Sequence, residues 1–164
     1  MLVTNGFKTA AYCELLFETQ CPHDKPCDGG AQVRRCLTNI TSGKMYPVQQ
    51  GDLAFIALDV EDKNDLGNTD AAVKLIMDAV NAIPAPLRPV IYTDRRQWNR
   101  ITGSSTAFSS NLLWLAGNMP TLTLTPSFDG WTTSTLLGKL YEQNVSLAGI
   151  SPVDFDVFDP SLFQ

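Results

Sequence analysis

Six consecutive apolar residues, Leu53-Ala54-Phe55-Ile56-Ala57-Leu58, run straight into Asp59-Val60-Glu61-Asp62. A strand that alternates polarity can leave one face to water, whereas this one needs cover on both faces, as the strands of parallel α/β sheets do. The segments that follow keep to that scheme. In residues 69–83, TDAAVKLIMDAVNAI places apolar side chains at helical spacing; Thr69 or Asp70 can cap it, and Pro84 and Pro86 end it. Pro89-Val90-Ile91-Tyr92 reads as the next strand. Thr93 or Asp94 can cap a short helix, RRQWNRIT, closed by Gly103. Leu112-Leu113-Trp114-Leu115-Ala116 then reads as another buried strand. A β-α-β-α-β order implies a parallel sheet. Further strands are expected over 8–16, 121–125 and 153–157, the last alternating as Val153-Asp154-Phe155-Asp156-Val157. With no repeat, charge block or low-complexity linker, the 164 residues read as one α/β domain over 1–164, a barrel or an open sheet.

Composition narrows the partners. The chain is 44% hydrophobic and 18% charged, enough apolar residue to bury a core. Its 12 Lys+Arg stand against 17 Asp+Glu, a formal net charge of −5, and the densest basic spots are only Arg34-Arg35 and Arg95-Arg96. Without a basic stripe, nucleic acid is not expected as a partner. No apolar run approaches the roughly 18–20 residues of a membrane span, and MLVTNGFKTA lacks a basic segment leading into an apolar one, so neither a membrane anchor nor a signal peptide is expected in this chain.

All four cysteines, Cys13, Cys21, Cys27 and Cys36, lie in the first quarter around the single histidine, His23. Their spacing lacks the paired knuckles of common zinc sites, so disulfides are favoured over a metal. The stretch CPHDKPCDGGAQVRRC between Cys21 and Cys36 is rich in Pro, Gly and Asp, and reads as a loop with little core that bridges would restrain. Four cysteines allow three pairings, and four reduced thiols in a cytosolic protein stay the alternative. The triplets Asn39-Ile40-Thr41 and Asn144-Val145-Ser146 are compatible with secretion but near chance for this composition.

Ligands of parallel α/β folds gather at the carboxyl ends of strands, which makes Asp59 and Glu61 candidates. If the strand continues through them, their i, i+2 spacing puts both carboxylates on one face, about 6.6 Å apart at Cα, with Val60 on the other. Repulsion and burial then raise the pKa of one of them, as a general acid at neutral pH requires. The plainer alternatives are a solvated loop in which Asp59 or Asp62 caps a turn, or a divalent-cation site.

Several blocks, in order, resemble glycoside hydrolase family 25, the N-acetylmuramidase lysozymes. Gly6-Phe7-Lys8-Thr9-Ala10-Ala11-Tyr12 is similar to that family's third strand, with Cys13 where a histidine is expected. Ala57-Leu58-Asp59-Val60-Glu61-Asp62 resembles the strand end holding its catalytic D-x-E pair, the most specific block. Pro89-Val90-Ile91-Tyr92-Thr93 with Trp98, then Leu113-Trp114-Leu115-Ala116, resemble later strands. Gly149-Ile150 with Val153-Asp154-Phe155-Asp156-Val157-Phe158 resembles the closing segment.

The resemblance implies a TIM-like (β/α) barrel, here incomplete at its N-terminus. The first-strand "G-x-D" motif is absent, and 164 residues fall short of the about 200 or more usual for complete eight-stranded barrels. It further implies a retaining β-1,4-N-acetylmuramidase with Glu61 as general acid/base. Asp59 and Asp154 would orient the substrate's N-acetyl group or stabilise positive charge, and Tyr12, Tyr92 and Trp114 would stack on sugars, core packing being the alternative for each aromatic. Peptidoglycan or a related polysaccharide is the implied partner, no metal or organic cofactor is implied, and the implied location is extracellular. Rival readings are a non-catalytic glycan-binding relative and an inactive structural fragment.

Overall fold

The apolar run at 53–58 forms a strand whose residues 56–58 are wholly buried, and the segments around it arrange themselves as its two covers. The computed structural model describes residues 9–17, 27–42, 53–62, 69–147 and 150–163. Six strands lie in chain order in one sheet: β1 (Thr9–Glu14), β2 (Leu53–Asp59), β3 (Arg88–Thr93), β4 (Leu112–Ala116), β5 (Leu136–Leu147) and β6 (Ile150–Phe158). The first five are parallel, and β6 returns antiparallel to β5. Helices α1 (Gly29–Thr41), α2 (Thr69–Ala82) and α3 (Arg95–Thr102) form the crossovers.

The sheet is strongly curled. Flat, it would hold β1 and β4 about 14 Å apart, and β2 and β6 about 19 Å apart. Yet the rings of Tyr12 on β1 and Trp114 on β4 lie 6.1 Å apart, and those of Phe55 on β2 and Phe158 on β6 lie 6.0 Å apart. Only a half-barrel whose concave side gathers these side chains brings them so close. Among the described residues β1 pairs only with β2, and β6 only with β5, so the sheet is open.

Alternation along each strand then sorts the core into two layers. On the convex side Cys13, Ile56, Leu58, Ile91 and Leu113 pack against Val33 of α1, Leu75, Ile76 and Ala79 of α2, and Trp98 and Ile101 of α3. On the concave side Phe55, Ala57, Val90 and Leu137 form a smaller cluster, with Trp114 and Phe158 against it. Phe158 reaches that cluster because position 138 is a glycine: a Cβ there would meet the Phe158 ring at 2.4 Å.

The stretch before Cys36 departs from the loop expected of it. Asp28 accepts a hydrogen bond from the Ala31 backbone N–H at 2.8 Å and caps α1, which packs so tightly on α2 that a Cβ on Gly29 would lie 2.0 Å from the Leu75 carbonyl oxygen. Val33, Leu37 and Ile40 give α1 an apolar stripe at helical spacing. Two ties hold β1 to α1. The Cys13–Cys36 disulfide is one, with Cα atoms 6.1 Å apart. The other is the Gln32 side-chain amide, which both accepts from the Leu16 N–H at 2.7 Å and donates to the Leu16 carbonyl at 2.9 Å, completing the ladder beyond the strand. Cys27 is disulfide-bonded as well; Cys21 and His23 lie outside the described residues.

Residues 121–125, expected as a strand, are irregular. The Thr123 N–H turns back to the Thr121 carbonyl at 2.8 Å, and the Leu124 N–H donates to Thr133 Oγ1 at 3.0 Å, so neither feeds a sheet ladder. The fifth strand comes instead from 136–147.

The bridge closes a segment whose ends are 23 residues apart, a restraint on the unfolded chain worth about 3 kcal/mol. Replacing Cys13 and Cys36 together by Ala should lower the unfolding free energy in urea titrations by about that amount. Non-reducing peptide mapping of the native chain should recover the peptides containing Cys13 and Cys36 linked; recovery of both as free thiols would contradict the fold at this point.

Candidate active site

The carboxylates at the end of β2 are fixed first by backbone. The Leu15 N–H donates to the Asp59 carbonyl at 3.1 Å, the Val60 N–H to the Tyr92 carbonyl at 2.9 Å, and the Thr93 hydroxyl to the Val60 carbonyl at 2.9 Å. Val60 is fully buried in the helix-side core. Asp59 and Glu61, one residue to either side, therefore belong to the concave side, as their spacing suggests.

Register extends the site sideways. Asp59 pairs with Tyr92, Tyr92 with Trp114, and Trp114 with Gly138, forming one row across four strands. Tyr12 joins from β1. Ring centroids lie 5.4 Å apart for Tyr12 and Tyr92, 5.1 Å for Tyr92 and Trp114, and 4.9 Å for Trp114 and Phe158, all edge to face. Tyr92 is buried, Trp114 is part-buried although it lies inside an apolar run, and Tyr12 is 48% exposed. The row thus grades from buried floor to open rim.

Asp59 sits within it, 8% exposed, and its Oδ1 has no hydrogen-bond partner. Burial pushes its pKa up, the Tyr12 hydroxyl that donates to it pulls partly back, and Glu61 and Glu14 push it up again, to about 7. Glu61 is less buried and is also shifted upward, first by burial and then by the Asp94 carboxylate. The sequence leaves open which of the pair is raised and gives the acid's role to Glu61; the larger rise falls on Asp59, and the charge facing Glu61 is that of Asp94 at the cap of α3. Burial, then Asp59, keep the Tyr12 hydroxyl protonated well beyond the ordinary phenol range; burial, then Glu61 and Asp59, do the same for Tyr92.

On β6, Asp154, Asp156 and Phe158 share the concave face by alternation. Asp156, exposed as a residue, enters the row by accepting from Trp114 Nε1 at 2.9 Å, and partial desolvation of its carboxyl there raises its pKa. Asp154, the residue chosen from sequence, is exposed and accepts from the Asn144 backbone N–H at 2.9 Å, while its charge still reaches Tyr92. Asp156, Asp94 and Phe158 were not singled out. For Asp156 and Phe158 a signal existed, the alternation of 153–157 carried one step further. Asp62 is buried, its N–H donating to Gln97 Oε1 at 3.3 Å. Among the described residues no three His, Cys, Asp or Glu side chains gather as a metal site. The first part of the Gly6-to-Tyr12 block, and Gly149, lie outside the described residues.

No protein-family model matches the chain, and no curated protein matches it by sequence. Solved structures do. A bacterial lysozyme from Streptomyces coelicolor matches with a TM-score of 0.66 at 22% identity, over 94% of this chain and 70% of that one. A family GH25 lysozyme from Aspergillus fumigatus gives 0.61 at 19% identity, over 92% and 80%. A muramidase from Trichobolus zukalii gives 0.58 at 25% identity, over 82% of this chain and 63% of that one. The curled sheet therefore has the fold of GH25-type lysozymes, as the sequence blocks imply, and the chain spans about two thirds of the length of the Trichobolus muramidase.

A carboxyl whose pKa is raised on folding binds its proton more tightly in the folded state, so stability is full below the unfolded value near 3.8 and is lost as pH rises towards 7. Asp59→Asn keeps an acceptor for Tyr12 and removes the charge. Chemical denaturation across pH 4–8 should find the variant unchanged near pH 4 and more stable than the parent above pH 7, by at most roughly 4 kcal/mol. Parallel curves for the two proteins would show that Asp59 titrates normally.

Proposed function

We propose that this chain is the catalytic face of a peptidoglycan hydrolase, a lysozyme-like N-acetylmuramidase that cleaves β-1,4 glycosidic bonds, with residues 1–164 acting as one glycoside-hydrolase-like domain. The observation that carries this reading is the pair Asp59 and Glu61, two carboxylates on one face of a strand end with upward-shifted pKa values, beside an aromatic row. The shared fold of the lysozymes supports it.

Glu61, nearer the rim, is the general acid: it protonates the departing glycosidic oxygen and then, ionised, takes a proton from water. Asp59, deeper, in its ionised form stabilises the positive charge that develops on the sugar and orients the N-acetyl group for substrate-assisted attack. Asp156 or Asp154 faces the same charge from β6, and Tyr12, Tyr92 and Trp114 offer ring surface to sugar faces. The Cys13–Cys36 bridge supports an oxidising, extracellular setting. A glycan-binding module without chemistry is the second reading, because the exposed Tyr12 and part-buried Trp114 would serve sugar stacking whatever the carboxylates do.

Clearing of a purified peptidoglycan suspension tests both. Glu61→Gln is nearly isosteric and should lower the clearing rate by about 10²–10⁴-fold while the unfolding transition is kept. Equal clearing by parent and variant would remove the acid assignment. A parent chain that sediments with the wall without clearing it would favour the binding module.

A further inference from the structure

Behind the aromatic row, on the helix side of the sheet, the end of β4, the start of α3 and residues 117–125 line an open cleft of about 610 Å³. Lys139 of β5 stands in its wall. Its register partner Leu115 belongs to the helix-side core, and laterally paired residues share a face, so Lys139 points away from Asp59. As a residue Lys139 is 9% exposed, its stem covered by the sheet, while its ammonium group faces the cleft. A lysine whose stem is covered in this way ordinarily shares its cleft with a counter-charge. Among the described residues Lys139 has neither an ion pair nor a hydrogen-bond acceptor, and the Lys74–Asp78 ion pair lies elsewhere.

Two more cations, Arg95 and Arg96, line the same cleft, and they too lack an ion pair among the described residues. Arg95 is held in place: its guanidinium donates to the Pro126 carbonyl and lies 4.5 Å from the centre of the Phe128 ring. The one lining carboxylate, Asp94, already accepts from the Gln97 N–H at 2.7 Å as the cap of α3. Burial, then the charge of Arg95, push the Lys139 pKa down, as expected of cations converging without an anion between them. Thr121, Thr123 and Thr125 add hydroxyls to the rim.

We propose that this cleft is a phosphate-binding site, with Lys139 as the point charge and Arg95 and Arg96 as further donors along it. Three cations against one carboxylate favour an anion of more than one negative charge, and planar guanidinium forks match phosphate oxygens in pairs. The start of α3 contributes its partial positive charge on the same side. The phosphate is either a free ion or an ester borne on a larger molecule. The cleft adjoins the concave site through Asp94, which also faces Glu61, but its three cations lie outside that site, and its occupancy does not depend on glycan cleavage.

Calorimetric titration tests it, using inorganic phosphate and glycerol 3-phosphate at ionic strength held constant with sodium chloride. Saturable binding of phosphate is expected, weakened at least about tenfold by Lys139→Gln and retained by Lys139→Arg. Arg96→Gln, at an exposed position, should weaken binding without touching the core, which keeps the test open if Lys139→Gln fails to fold. Glu61→Gln should bind like the parent, which separates this site from the hydrolase reading. Tighter binding of glycerol 3-phosphate would support an ester, and tighter binding of the inorganic ion a free phosphate. No saturable heat above the chloride control, equal binding by the parent, Lys139→Gln and Arg96→Gln, or acetate binding as tightly as phosphate would overturn the proposal.

Discussion

Aromatic packing across the concave face is the contact on which the remaining geometry rests. Tyr12, Tyr92, Trp114 and Phe158 come from β1, β3, β4 and β6, and each meets the next edge to face. Such pairs contribute roughly 0.5–1.5 kcal/mol each beyond the area they bury. In an open sheet with no closing strand pair among the described residues, they are what draws distant strands together on one side. The small residues of that face, Ala57 and Gly138, leave the rings room. Large side chains at both positions would force the curl open.

That packing also makes the carboxylate at the end of β2 expensive to ionise. Rings and strands displace the water that would solvate Asp59, and a single hydroxyl, that of Tyr12, returns only part of it. A structure selected for stability alone would put an amide or an apolar residue there. The row is thus at once the brace of the sheet and the low-dielectric wall of the site.

The central elements were legible because one signal dominated each. β2, β3 and β4 are continuous apolar runs, and α2 and α3 carry caps, stoppers and helical spacing. Val60 was enough to place Asp59 and Glu61 on one side. α1 was hidden by the Pro-, Gly- and Asp-rich residues before it, although Val33, Leu37 and Ile40 keep helical spacing. The alternation Thr121-Leu122-Thr123-Leu124-Thr125 imitates a strand, but Pro120 and Pro126 bound it and its hydrogen bonds stay local. β5 was missed because its outer half, Glu142-Gln143-Asn144, is polar and exposed. Asp154 and Asp156 differ only through the irregular register between β5 and β6, which decides that Asp156 reaches Trp114 and which no single-strand pattern encodes.

Cys13 and Tyr12 are consecutive residues on opposite faces of β1, which is an edge strand among the described residues. Edge strands ordinarily fray, because half of their backbone groups lack a ladder partner. Here the sulfur bridge to α1 grips the strand from behind, one residue from the hydroxyl that meets Asp59 in front. The most exposed ring of the row is consequently carried on backbone that is covalently moored, so it can offer its face to solvent, and to whatever arrives from solvent, without the strand beneath it peeling away.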